Sequence, residues 1–235
     1  MKQFALFLAI LATVGVWIAD LLLLSVPAFR NGWWTLTFFA FPLALLALGW
    51  GGEENKKLRI ASWTVFVLGL GGWIAFRTVG TIESTPTVAV GEVAPNFTLK
   101  DQDGKDVRLS DLTADSRVLL IFFRGKYCPV CRGALRGLLA READFESSRV
   151  SIVAVGPQTP EQAKAFDLPF RVLSDPDLEA TKKYGLVHEK GLLGKDVPRP
   201  TTLLIDKDRK IQWMRAETSM RIRPTPDEIF EQLRN

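Results

Sequence analysis

Cysteine and histidine are scarce in this chain, which carries two cysteines and one histidine in 235 residues. A structural zinc site takes four ligands, mostly of these two types. Cys128, Cys131 and His188 fall short of that set, so the cysteines read as a thiol pair. No third thiol exists to resolve an oxidised cysteine within the chain. Any redox cycle therefore closes between Cys128 and Cys131 and draws its electrons from an external thiol. Thiol exchange calls for no metal or organic cofactor.

Charge is the second shortage. The first 79 residues hold six Lys/Arg and three Asp/Glu, leaving 24 basic and 23 acidic residues for the remainder. The formal net charge of +4 thus comes mainly from residues flanking apolar segments. No basic stripe interleaved with aromatics is present, which argues against a nucleic-acid partner.

Apolar residues fill the N-terminal third in three runs, 4–26, 33–50 and 60–76. Each is long enough to cross a bilayer, the second and third near the lower limit. Six of the seven tryptophans precede residue 74, several at segment ends where amphipathic rings favour the membrane interface. We expect a membrane anchor over residues 1–77 with three transmembrane helices, the lipid bilayer as its partner, and a linker over 78–93. Lys2, Lys56, Lys57 and Arg59 outnumber Arg30 and Arg77 across the alternate loops. The positive-inside rule then places the domain 94–235 on the extracytoplasmic side. An oxidising compartment suits a domain whose only cysteines form a reversible pair. The anchor holds no cysteine, so it cannot relay electrons by thiol exchange.

What is present is a Cys-Pro-Val-Cys motif at a strand-to-helix junction. Residues 118–123 form a continuous apolar run, the mark of a buried strand. Residues 129 to about 146 carry Leu135, Leu138, Leu139 and Phe145 at helical intervals. The thiols fall on the turn between them and on the first helical turn, where free N–H groups and the macrodipole favour a thiolate. Arg124, Lys126 and Arg132 add positive charge nearby.

The other elements follow from turn and cap signals. Asp103-Gly104 lies between two short alternating runs, a hairpin signal. Residues 150–155 read as a buried strand, and Thr159-Pro160 opens a short helix. Residues 170–173 give a short strand, and Asp175 caps a helix ending near Gly185. The Gly- and Lys-rich stretch 186–199 reads as a loop, with His188 solvated in it. Residues 201–206 and 210–215 form a second hairpin, and Thr225-Pro226 caps the last helix. Alternating strands and helices with hairpins at both ends predict an α/β fold with a mixed sheet.

These residues resemble the thioredoxin superfamily and, within it, the alkyl hydroperoxide reductase/thiol-specific antioxidant (peroxiredoxin-like) family. The resemblance rests on Ala94-Pro95-Asn96-Phe97-Thr98-Leu99, the stretch 122–138, Pro157-Gln158-Thr159-Pro160, Ser174-Asp175-Pro176, Arg199-Pro200-Thr201-Thr202 and Arg221-Ile222-Arg223-Pro224. It covers about residues 91 to 235 and implies a thioredoxin-like mixed sheet flanked by helices. It also implies a thiol-dependent reduction of peroxides. Cys131 matches the attacking cysteine of the family, and Cys128 stands where the family carries a threonine. Arg199 is the nearest match to the arginine that holds the thiolate and polarises the peroxide. Arg124, Tyr127, Pro129, Pro200 and Thr201 are the supporting residues, with Tyr127 packed beside the thiols.

A second branch, the membrane-anchored thiol-disulfide reductases, is also similar. There the first cysteine attacks, which would be Cys128, and Pro200 would resemble the cis-proline beside the disulfide. The substrate is then an envelope protein disulfide rather than a peroxide. In both cycles a thioredoxin-like protein or a small thiol restores the dithiol. A redox-sensing membrane module without turnover is the remaining reading.

Overall fold

The computed structural model describes residues 84–192 and 194–234, together with Ile60, Thr64, Val67, Gly71 and Ile82. The chain divides into two compact units, 1–80 and 81–235. In the first, Ile60, Thr64, Val67 and Gly71 are helical, and the Thr64 hydroxyl donates to the Ile60 carbonyl at 2.9 Å. The expected spans 4–26 and 33–50, and the rest of 60–76, lie outside the described residues. Among the described residues no helix is long and apolar enough to cross a membrane.

The second unit is built on seven strands in the order β2-β1-β5-β4-β3-β8-β9. The central strands β3 (Arg117–Phe122), β4 (Val150–Gly156) and β5 (Arg171–Ser174) are parallel. Strand β8 (Thr201–Ile205) runs antiparallel to β3 and forms a hairpin with β9 (Ile211–Ala216). At the far edge, β1 (Thr98–Lys100) pairs antiparallel with β5 and with β2 (Asp106–Arg108). The helices are α1 (Leu109–Thr113), α2 (Pro129–Leu139), α3 (Glu142–Ser147), α4 (Pro160–Lys164), α5 (Glu179–Lys183) and α6 (Pro226–Leu233).

Strand parity sorts the core into two layers, because successive side chains point to opposite faces. Val118, Leu120 and Phe122 join Phe97, Leu173, Tyr184 and Leu203 on one face. Leu119, Ile121 and Phe123 join Cys128, Cys131, Leu135, Phe145 and Ile229 on the other. Both faces of β3 are covered, which is why its sequence is apolar without alternation. The cysteines thus belong to the layer beneath α2 and α6.

Local signals place the helices. Thr159 and Thr225 accept hydrogen bonds from Gln162 N–H and Glu228 N–H, and each is followed by proline at the first helical position. Glu228 reaches back to the Thr225 N–H, completing a capping box on α6. The buried Asp175 carboxylate accepts from the Ala180 and Thr181 N–H groups and the Thr181 hydroxyl, fixing the start of α5.

Three sequence expectations are corrected. The stretch 186–199 is a hairpin, β6 (Val187–Leu192) with β7 (Lys195–Pro198), and His188 is half-buried on β6 rather than solvated in a loop. The helix expected to run from 129 to about 146 breaks after Leu139, and the new helix α3 sets the buried Phe145 ring 4.4 Å from that of Phe230. The segment after Ile82, read as linker, belongs to the second unit and is hydrogen-bonded into it. Ile82 N–H donates to Thr218, Thr87 N–H to Tyr184 and Gly91 N–H to Ile211. Gly185 permits this approach, since a Cβ there would stand 2.6 Å from the Thr87 nitrogen.

Candidate active site

The site forms where β3 ends and α2 begins. Gly125 turns the chain at φ +103°, with the Pro157 ring 3.2 Å from where a Cβ would project. Such a backbone conformation is open to glycine and strained for other residues. Cys128 is the N-cap of α2, and its sulfur accepts the Cys131 N–H at 3.2 Å. Pro129 at the first helical position has no N–H to leave unpaired. Cys128 and Cys131 are joined as a disulfide with Cα atoms 5.3 Å apart. Cys131 is 1% exposed and Cys128 4%.

Among the described residues, the cation that reaches the sulfurs is Arg223. Its Nη2 stands 3.1 Å from Cys131 Sγ and 3.8 Å from Cys128 Sγ. Nη1 donates to the Met220 carbonyl at 3.2 Å and to that of Ile222, so the guanidinium is fixed by its own loop. The loop is in turn anchored by the Glu217 N–H on the Pro200 carbonyl and by the capping box of α6. Burial brings the Arg223 pKa down to about 9, with Glu217 opposing that shift and Arg124 adding to it. The group is still a cation at neutral pH, held where water solvates it poorly. A thiolate at either sulfur would place a further anion against this poorly hydrated cation, alongside the charge of Glu217.

The other expected residues take different places. Arg199 is buried, but its donors go to the backbone carbonyls of Glu217, Ala216 and Ser84, and none of these bonds reaches a sulfur. It ties β9 and the segment before β1 to the end of β7, and burial lowers its pKa with Glu217 opposing. Arg199 is thus corrected from thiolate partner to backbone clamp. Arg124 is likewise buried and donates to the Gly191 carbonyl, fastening the β6–β7 hairpin beside the redox turn. Burial lowers its pKa too. His188 lies on that hairpin, its pKa lowered by burial and then by the charges of Arg124 and Arg199.

Tyr127 is 71% exposed, with Lys126 Nζ 5.0 Å from its ring centre, so it does not pack beside the thiols as expected. No peptide bond among the described residues is cis, and Pro200 therefore departs from the cis-proline expectation. Thr201 pairs with Phe122 and shares its sheet face, away from the cysteines; Thr202 pairs with Ile121 and faces them. A cleft of about 20 Å³ is lined by Cys131, Thr202, Arg223, Pro224, Phe123 and Ile229, among others. That is room for roughly one or two water-sized molecules. Sequence reading named Arg223 only as part of a motif; its proline neighbour and the Thr225 cap were the local signs of a fixed position.

The profile of the AhpC/TSA family matches residues 90–214. Peroxiredoxin Bcp of Escherichia coli is 33% identical over 128 residues, which are 52% of this chain and 81% of that protein. Thiol-disulfide oxidoreductase ResA of Bacillus cereus is 28% identical over 162 residues, 66% of this chain and 87% of that one. Among solved structures, peroxidoxin BcpB of Mycobacterium tuberculosis superposes with a TM-score of 0.52 at 29% identity, covering 62% of this chain and 94% of that one.

If Arg223 holds a thiolate, removing its charge slows the reaction of the reduced pair with alkylating agents. Arg223→Met is expected to lower the iodoacetamide rate at pH 7 about tenfold, with recovery as the pH rises and hydroxide takes the proton instead. Rate-versus-pH profiles of the reduced full chain check this, and an unchanged profile contradicts it.

Proposed function

The chain belongs to the AhpC/TSA family and is a thiol peroxidase/oxidoreductase of the peroxiredoxin-like type, and from that premise we propose that it reduces small peroxides through Cys128 and Cys131. The observation that carries this reading is the contact of half-buried Arg223 with Cys131 Sγ at the wall of a cleft of about 20 Å³. Cys131, 1% exposed as a residue, suits a small peroxide better than a folded protein's disulfide.

In this cycle the Cys131 thiolate attacks one peroxide oxygen, the O–O bond breaks, and the leaving oxygen departs as hydroxide or alkoxide and takes a proton. Cys131 becomes a sulfenic acid. Arg223 stabilises the thiolate before attack and the charge shifting onto the departing oxygen. The Thr202 hydroxyl, on the same sheet face, is placed to hydrogen-bond the peroxide where the family threonine is replaced by Cys128. Cys128 then attacks the sulfenic sulfur, releasing water and forming the disulfide. A dithiol reductant returns two electrons and two protons.

A second reading, a thiol-disulfide reductase with Cys128 attacking first, is favoured by one observation. Cys128 caps α2, is flanked by the exposed Tyr127 and Pro129, and is slightly less buried than Cys131. The two readings share the same disulfide and differ in which sulfur reacts first.

We further propose that residues 4–26, 33–50 and 60–76 tether the domain to a membrane on its extracytoplasmic side. The hydropathy of those runs and the Lys/Arg bias of their loops support the tether. The full chain is then expected to stay with membranes through an alkaline carbonate wash; release into the supernatant contradicts the tether.

The peroxidase reading is tested by stopped-flow mixing of the reduced full chain with peroxides of different size. Oxidation by hydrogen peroxide is expected to exceed that of free cysteine by about a hundredfold. Cumene hydroperoxide, too bulky for the cleft, is expected to react about tenfold more slowly than hydrogen peroxide. Oxidation no faster than free cysteine overturns the reading.

A further inference from the structure

We propose that a groove along α2 is the docking site for an acidic segment of the protein dithiol that re-reduces the disulfide, an inference that rests on the dithiol–disulfide cycle above. The cycle needs an external electron donor, since the chain has no third cysteine. Arg223 decides where that donor attacks. In thiol exchange the sulfur that departs is the one whose thiolate is better stabilised. Arg223 lies nearer Cys131 than Cys128, so Cys131 is the leaving group and Cys128 the sulfur attacked. Cys128 is also the less buried of the two.

A groove of about 590 Å³ begins at the two residues that precede Cys128 in the chain. Lys126 and Tyr127, immediately before Cys128, form one end. Arg132, Leu135, Arg136 and Leu139 continue it along one stripe of α2, at the spacing of a single helix face. The facing wall comes from Phe166 and Leu168, beyond α4. The floor is apolar and the rim is basic. Lys126, Arg132 and Arg136 face a single acidic lining residue, Asp167. None of the three cations is in an ion pair among the described residues, whereas Arg141, just past the helix, is paired with Asp144 and Asp227. Leu139 and Tyr127 keep exposed apolar surface there.

Such a surface fits an extended segment that brings apolar side chains to the floor and carboxylates to the rim. Rim charges steer encounter and select the partner more than they add affinity. The step balances. One thiolate of the partner attacks Cys128 Sγ, the Cys128–Cys131 bond breaks, and Cys131 leaves as a thiolate beside Arg223. The second partner thiol then attacks the partner's own sulfur in the mixed disulfide and frees Cys128. The partner departs as a disulfide.

The test uses the oxidised full chain and two short synthetic dithiol peptides, each with a Cys-Gly-Pro-Cys head, one with a glutamate- and leucine-containing tail and one with lysine in place of glutamate. The acidic peptide is expected to reduce the disulfide about tenfold faster than the basic one at low salt, with the difference shrinking in 0.5 M salt. The variant Arg136→Glu is expected to shrink that preference severalfold. Its reduction by dithiothreitol and the oxidation of its reduced form by hydrogen peroxide are expected to match the parent, showing that it folds and that the peroxide reaction stands independently. Equal rates with both peptides, or a variant slowed equally with dithiothreitol, overturn the proposal. So does a groove whose charge reversal abolishes binding to phosphatidylglycerol vesicles while leaving the peptide rates unchanged, which would assign it to lipid.

Discussion

A guanidinium buried against two sulfurs is the constraint around which the rest of this site is arranged. Arg223 cannot shed its charge at neutral pH, and burial deprives it of water. Reducing the disulfide creates the anion that such a cation favours, so the arginine biases the pair toward thiolate. That bias needs the guanidinium to stay in place. The backbone carbonyls of Met220 and Ile222 hold it from within its loop, and the capped start of α6 holds the loop. On the other side, the glycine turn after β3 and the N-cap geometry of Cys128 hold the sulfurs. The seven-stranded sheet serves mainly to bring these two ends of the chain together.

The asymmetry of Arg223 between the sulfurs gives each one a different task. Cys131, closer to the guanidinium and almost fully buried, is suited to a small oxidant and to leaving as a thiolate. Cys128, at the helix cap and slightly less buried, is suited to resolving the sulfenic acid and to meeting a reductant. The small cleft and the long basic groove divide along the same line, one beside Cys131 and the other starting at the turn that carries Cys128. In the proposed cycle, size selects the oxidant, and charge and shape select the reductant.

Much of the fold was legible in the sequence because its signals are local. The apolar run before the cysteines, the Asp-Gly turn and the Thr-Pro helix starts at 159 and 225 each specify their element within a few residues. The Cys128–Cys131 pair and its place at the junction were legible for the same reason. The partner of the thiols was not. Arg223 lies more than ninety residues from either cysteine, and Arg199 sat beside a stronger motif match. Only the packing of the end of β9 and of the segment before β1 shows that the Arg199 donors are spent on backbone carbonyls. The 187–198 hairpin escaped notice because its glycines and lysines carry no alternation, and tertiary contact through Arg124 holds it. Thr202 could have been preferred to Thr201, since pairing parity with Ile121 puts it on the cysteine face.

Trapping the sulfenic acid tests the central assignment most directly. Single-cysteine variants of the full chain, Cys128→Ser and Cys131→Ser, are reduced, exposed to one equivalent of hydrogen peroxide in the presence of dimedone, and mapped by mass spectrometry. The account predicts rapid labelling of Cys131 in Cys128→Ser and little labelling of Cys128 in Cys131→Ser. Rapid labelling of Cys128, with Cys131 unreactive, would contradict it and transfer the role of nucleophile to the sulfur at the helix cap.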